Sequence, residues 1–177
     1  MRLLLVALVT VLTVPACGHE VTSTPALSTT TPTITTPAPS PSPTTLTIAQ
    51  AAAKYKQIVK PSNDITFGEF RHAQEAYSAN PTDATRAALN TAAGHLAVAL
   101  RTMAQEFRSA AWPPDAQAAM ADLIKADASY VAGANALSAA KTDADVQSAI
   151  ALFDDKAVAQ SSELVREALG LPPAPTG

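Results

Sequence analysis

Beyond residue 47, apolar positions fall on a helical period through most of the chain. Ile48, Ala52, Tyr55 and Val59 follow at intervals of four, three and four, and Asn63, Thr66, Phe70, Ala73 and Tyr77 continue the phase. Such spacing places side chains on one face of a helix. Thr47 and Gln50 stand at capping-box spacing, in which the threonine oxygen accepts from the third amide and the glutamine reaches back. Pro61 lies inside the stripe, where its ring displaces the backbone bond to Gln57. Because the phase persists across it, the pattern predicts one long first helix kinked at Pro61, with two shorter helices as the alternative.

A second helix is expected from Asn80-Pro81, with proline in the first turn and Asp83 near the positive end of the dipole. Leu89, Ala93, Leu96, Leu100, Met103, Phe107 and Ala110 alternate by four and three, the pattern of a bundle seam. Trp112-Pro113-Pro114 ends that helix and opens a third, whose stripe is Met120, Leu123, Asp127, Tyr130, Ala134 and Leu137. Thr142 and Asp145 cap a fourth, with Val146, Ile150, Phe153, Ala157, Leu164 and Ala168 inside. Gly170 stops it, Leu171 folds back, and Pro172-Pro173 prevent continuation. Four helices with short connections predict an all-α fold, an antiparallel four-helix bundle over residues 47–171. The many alanines imply close helix contacts and argue against a large internal cavity.

The residues before this region are of other kinds. Arg2 followed by an apolar run over residues 3–12 has the form of a signal peptide, residues 1–16. About 12 residues of helix rise roughly 18 Å, short of the ~30 Å hydrocarbon core, which disfavours a permanent span. Val14-Pro15-Ala16-Cys17 resembles a bacterial lipobox, although Pro15 stands where Ala, Ser or Thr is usual. Ordinary cleavage after Ala16 competes with this reading. Cys17 is the only cysteine in the chain, and a thioether to lipid accounts for an odd cysteine in an exported protein where a free thiol does not. A diacylglyceryl or palmitoylated cysteine with two or more chains would anchor stably.

Residues 17–46 form a Thr/Ser/Pro-rich stretch poor in large apolar side chains, expected to be a disordered stalk biased toward polyproline II. At ~3.1 Å per residue it would reach on the order of 90 Å when extended. Thr/Pro tracts also accept O-linked sugars, and an unmodified spacer is the plain alternative. Residues 172–177 are expected to be a disordered tail. The net charge of −3 and the scattering of lysine and arginine among carboxylates leave no basic face for nucleic acid.

The lipobox, the stalk, the alanine-rich helices, Trp112-Pro113 and the ending Ala168-Leu169-Gly170-Leu171-Pro172-Pro173 together resemble small secreted lipoproteins of mycobacteria and related actinobacteria. The resemblance implies a lipid-anchored protein on the extracytoplasmic face of the cell membrane, and it carries no catalytic residues to transfer.

Few residues suggest chemistry. Glu69-Phe70-Arg71-His72 contains the Glu-x-x-His pair of ferritin-like di-iron bundles, a site that needs a second such pair and two more glutamates. His95 has Ala92 three residues before it, so half the ligand set is missing, and no metal or other cofactor is expected. The c-type haem attachment motif is absent, and His95 and Met103 would have to ligate across one helix. No Gly-x-Ser-x-Gly elbow or phosphate loop occurs, so no catalytic residue is assigned.

Asp127 is the conspicuous polar residue, because it occupies a seam position where a carboxylate is costly to bury alone. If the second and third helices run antiparallel about Trp112-Pro113, Asp127 lies near Leu100 and Arg101, and an Arg101–Asp127 ion pair is expected; the alternative makes Asp127 the polar end of a ligand pocket. Asn63 is expected to bond carbonyls freed at Pro61.

Three functions follow. The favoured one is a monomeric, non-enzymatic envelope lipoprotein, held to the membrane through Cys17, whose bundle binds a protein or cell-wall partner. Its sign is an exposed apolar or aromatic patch, with Trp112, Tyr55 or Tyr77 as candidates. The second is a carrier of a lipid or small apolar ligand, whose sign is a cavity in the bundle, and the third is a metal-binding ferritin-like bundle.

Overall fold

The computed structural model describes residues 44–174. The expected signal peptide, Cys17, nearly all of the stalk and the last three residues of the tail lie outside them. The described residues are helical, without strands: α1 (Ile48–Ile65), a π-helical turn (Thr66–Phe70), α2 (Arg71–Ala79), α3 (Asp83–Ser109), α4 (Pro114–Ser138), α5 (Asp143–Ile150) and α6 (Asp155–Ala168).

The first helix begins on its capping box: the Gln50 amide donates to Thr47 Oγ1 at 3.3 Å and the Thr47 amide to Gln50 Oε1 at 2.9 Å. Helical backbone then continues from Ile48 to Ala79, passing through Pro61 without a break. The departure from α geometry comes later, at Thr66–Phe70, where the Arg71 amide reaches back to the Thr66 carbonyl. Such π turns take up one extra residue inside a helix and are frequent at functional sites. The buried face is Ala51, Tyr55, Ile58 and Ser62, one residue out of phase with much of the expected stripe, and Ile48 is exposed. Ser62, not Asn63, supplies the hydroxyl next to Pro61, donating to the Val59 carbonyl at 2.9 Å; Asn63 is exposed.

Pro81 precedes α3 rather than entering its first turn. Thr82 is the cap, exchanging bonds with Thr85, and Asp83 is the first helical residue. The α3 seam is as the periodicity predicts, with Leu89, Ala93, Leu96, Leu100, Met103 and Phe107 buried. At the α3–α4 corner the Trp112 indole is buried and donates to the Phe107 carbonyl at 2.7 Å. Pro114 opens α4, whose missing amide costs nothing in the first turn. Met120, Leu123, Asp127, Ala134 and Leu137 are buried along it.

The expected fourth helix is two. Thr142 and Asp145 cap α5, which ends at Ile150, and Asp154 caps α6 by accepting from the Ala157 amide at 2.9 Å. The four intervening residues reset the phase, so Val165 faces inward and Leu164 is exposed. Phe153, in this break, lies over Gly133 of α4, where a Cβ would come within 2.6 Å of the ring. α6 stops at Gly170, with φ +63°, and the Leu171 amide bonds the Arg166 carbonyl at 2.8 Å, the Schellman arrangement.

Both edges of the helical region extend beyond their expected limits. The Leu46 amide donates to the Ala111 carbonyl at 2.9 Å, and its half-buried side chain joins the core. Residues 172–174 are held to α6: Arg166 Nε donates to the Pro172 carbonyl at 2.8 Å, and the Ala174 amide to Glu163 Oε1 at 2.8 Å.

Candidate functional site

Between α1, α3, α4 and α6 lies a cleft of about 340 Å³. Its apolar wall comes from Val59 on α1, Leu100, Met103 and Phe107 on α3, Leu123 on α4 and Val158 on α6. Thr66 and the exposed Phe67 bring the π turn to its edge. The α5–α6 break sets the register that turns Val158, Ser162 and Arg166 toward it. Local departures from regular helix thus adjoin the site on two sides.

Asp127 lines this cleft and is 3 % exposed. Its Oδ2 is fully buried without a hydrogen-bond partner, and among the described residues no cation pairs with it. Burial without compensation penalises the charged form, and it pushes the Asp127 carboxyl up to about 6. The expected ion pair with Arg101 is not formed. Arg101 Nη1 donates to Asn135 Oδ1 at 2.7 Å instead, a partner about two helical turns beyond Asp127 on α4 that leaves the guanidinium in solvent. Remaining exposed avoids the desolvation that pairing with Asp127 would demand.

The other buried and half-buried polar side chains of the wall are partnered within the protein, while Asn63, which also lines the cleft, is exposed. Tyr55 Oη and Ser162 Oγ lie 3.1 Å apart, and burial raises the Tyr55 phenol above its ordinary value. Ser62 Oγ lies 3.1 Å from Met103 Sδ. The Tyr130 hydroxyl donates to Asp155, and burial together with that bond raises its pKa. The Arg166 guanidinium donates to the carbonyls of Pro172 and Pro173. A second unpartnered buried atom, Asn90 Oδ1, lies elsewhere, on an amide whose nitrogen already donates to the Ala140 carbonyl at 2.7 Å.

The remaining sequence candidates are dispersed. Glu69 contacts His95, with Nδ1 2.9 Å from Oε1, on an exposed surface, and His72 is exposed. Among the described residues no group of three His, Cys, Asp or Glu side chains is placed to hold a metal. Met103 is buried whereas His95 is exposed, so the two do not face a common centre. Trp112, Tyr55 and Tyr77 are all buried, so none of the three belongs to an exposed patch, and the exposed large apolar side chains among the described residues are Ile48, Phe67, Val98, Leu152 and Leu164. Ser62, Ser162 and Arg166 had no sequence signal of their own. Once the α5–α6 break is placed, the i, i+4 spacing of Val158, Ser162 and Arg166 puts them on one face.

Among the described residues no helix is long and apolar enough to cross a membrane. Compared with protein-family models, with curated proteins and with solved structures, the chain matches none.

Proposed function

We propose that this protein is a lipid-anchored, non-enzymatic binding protein of the extracytoplasmic face of the cell membrane, whose helical domain takes up a small, largely apolar ligand in the cleft beside Asp127. The lipid is carried on Cys17, and the helices form an antiparallel up-down bundle. The observation that carries the reading is the cleft itself, with apolar walls from four helices around one buried polar group that has no partner in the protein. Ligand sites are commonly concave and mostly apolar, with a few placed polar groups. Support for the antiparallel arrangement comes from the contacts Tyr55 with Phe107, Ser62 with Met103 and Glu69 with His95, in which positions ascend along the first helix while descending along α3.

Docking of a protein or cell-wall partner, favoured from the sequence, would have to use other exposed residues such as Phe67 and Leu164, because Trp112, Tyr55 and Tyr77 point inward. The volume of about 340 Å³ stands at the small end of the ~300–1,000 Å³ range of ligand pockets, which suits one ring or a short chain rather than a two-chain lipid. Native mass spectrometry of the full chain extracted from its own membranes tests both parts. The expected spectrum carries diacylglyceryl mass on Cys17 and a non-covalent small-molecule mass that disappears in Val59→Trp, which fills the cleft. An unmodified Cys17 overturns the anchor, and a small-molecule mass unchanged by Val59→Trp overturns the site.

A further inference from the structure

We infer that the ligand carries a protonated amine, received by the Asp127 carboxylate while the apolar remainder lies among Val59, Leu100, Met103 and Leu123. The inference rests on reading the cleft as a ligand site and narrows the ligand's chemistry.

The argument is one of unspent capacity. Around the cleft the hydroxyls of Tyr55, Ser62, Tyr130 and Ser162 are engaged inside the protein, and the Arg166 fork is engaged by backbone carbonyls. Asp127 Oδ2 alone on this wall is buried and unpartnered. With Asn63 exposed to solvent, what the buried part of the wall offers a ligand is therefore a hydrogen-bond acceptor that becomes negative on ionisation. A neutral apolar ligand would leave that carboxylate without a partner, and an anion would add like charge. An ammonium group supplies both the donors and the compensating charge, and charge-assisted hydrogen bonds are roughly twice as strong as neutral ones. The rings of Tyr55, Phe107 and Tyr130 also line the cleft, and aromatic faces attract cations.

Proton linkage gives a second handle. The ionisable groups around Asp127 are Tyr55 on α1, Arg101 and Arg108 on α3, Tyr130 on α4 itself, Glu163 and Arg166 on α6, and Asp154 and Asp155 at the α5–α6 break. A cation bound to the carboxylate lowers the Asp127 pKa in the complex. Amine affinity then rises with pH up to the free-protein value of about 6 and is flat above it.

Phenethylamine and phenethyl alcohol, matched in size and shape, are the probes for calorimetric titration into the full chain. At neutral pH the amine is expected to bind about tenfold more tightly or better, a preference lost in Asp127→Asn with alcohol binding retained. The preference should also shrink on acidification of the unsubstituted chain, which tests the inference even if Asp127→Asn fails to fold. Equal affinities for amine and alcohol overturn the amine assignment and leave the cleft reading standing. A preference that survives in Asp127→Asn assigns the cation elsewhere and likewise overturns it. Binding of neither probe to the folded chain overturns the cleft reading and this inference together.

Discussion

At the end of the bundle formed by α2, α3 and α5, Asp143 accepts from the Tyr77 hydroxyl and from Arg86 Nη1, each at 2.8 Å, while Asp145 accepts from the amides of Lys141 and Thr142. These bonds hold both carboxyls below their ordinary value. Between α1 and α6, Asp127 has no such donors, and burial raises it to about 6. The first end is closed by a tight cluster of Tyr77, Leu89, Ala93, Leu137, Ala140, Val146 and Ala149; the second encloses a cleft. Partnered carboxylates at a helix start stabilise the fold, whereas a carboxylate buried alone costs stability. The contrast marks the cleft as the part of the molecule not built for stability alone.

The difference can be broken most forcefully at Phe107, which is buried, stacks on Tyr55 at 5.9 Å between ring centroids and meets Trp112 edge-on. Phe107→Ala should cost about 3–5 kcal/mol in chemical denaturation, as is usual for a buried aromatic ring. A loss under about 1 kcal/mol would mean that the cleft side of the core already tolerates empty space.

Asp127→Asn sharpens the comparison with a change of sign. The native carboxyl is raised above its unfolded value of 3.8, so its contribution is fully present below that pH and is lost as pH rises through about 6. Removing the charge should therefore stabilise the protein at neutral pH by up to roughly 3 kcal/mol and leave it unchanged near pH 3. Equal effects at the two pH values would contradict an unpaired buried carboxylate. At the opposite end, the depressed carboxyls contribute stability above the ordinary carboxylate range that is lost as pH falls through their native values. Asp143→Asn should accordingly lower the melting temperature at neutral pH, with the deficit closing in acid. The smallest effect is expected at Gly94, inside α3, where a Cβ would sit 3.8 Å from Ser138 Cβ in ordinary contact. Gly94→Ala should raise stability by about 0.5–1 kcal/mol, the usual gain in a helix interior.

Periodicity and caps made much of this fold legible. The α3 seam, the Thr47 and Thr142 caps, the Trp112-Pro113 corner and the Gly170 stop all follow from local rules. What escaped depended on tertiary context. No glycine or proline lies between Ile150 and Asp154, so the local sign of the α5–α6 break is the Asp154 cap alone, and the tertiary one is Phe153 seating on Gly133. The one-residue offset on α1 follows from Ser62 reaching Met103, a contact across helices. Asp127 is conspicuous because a carboxylate interrupts an apolar stripe, yet the ion pair that the stripe suggests is not formed. Register placed Arg101 close by, but register does not say that Asn135 and solvent offer the guanidinium a cheaper environment.

The most direct test follows the side-chain carboxyl carbon of Asp127 by NMR through an acid titration of the folded protein. An unpaired, buried carboxylate in the cleft predicts a midpoint near 6. A midpoint at or below 3.8, the ordinary value for aspartate, would show that the carboxylate is solvated or paired, and would contradict the account of this cleft.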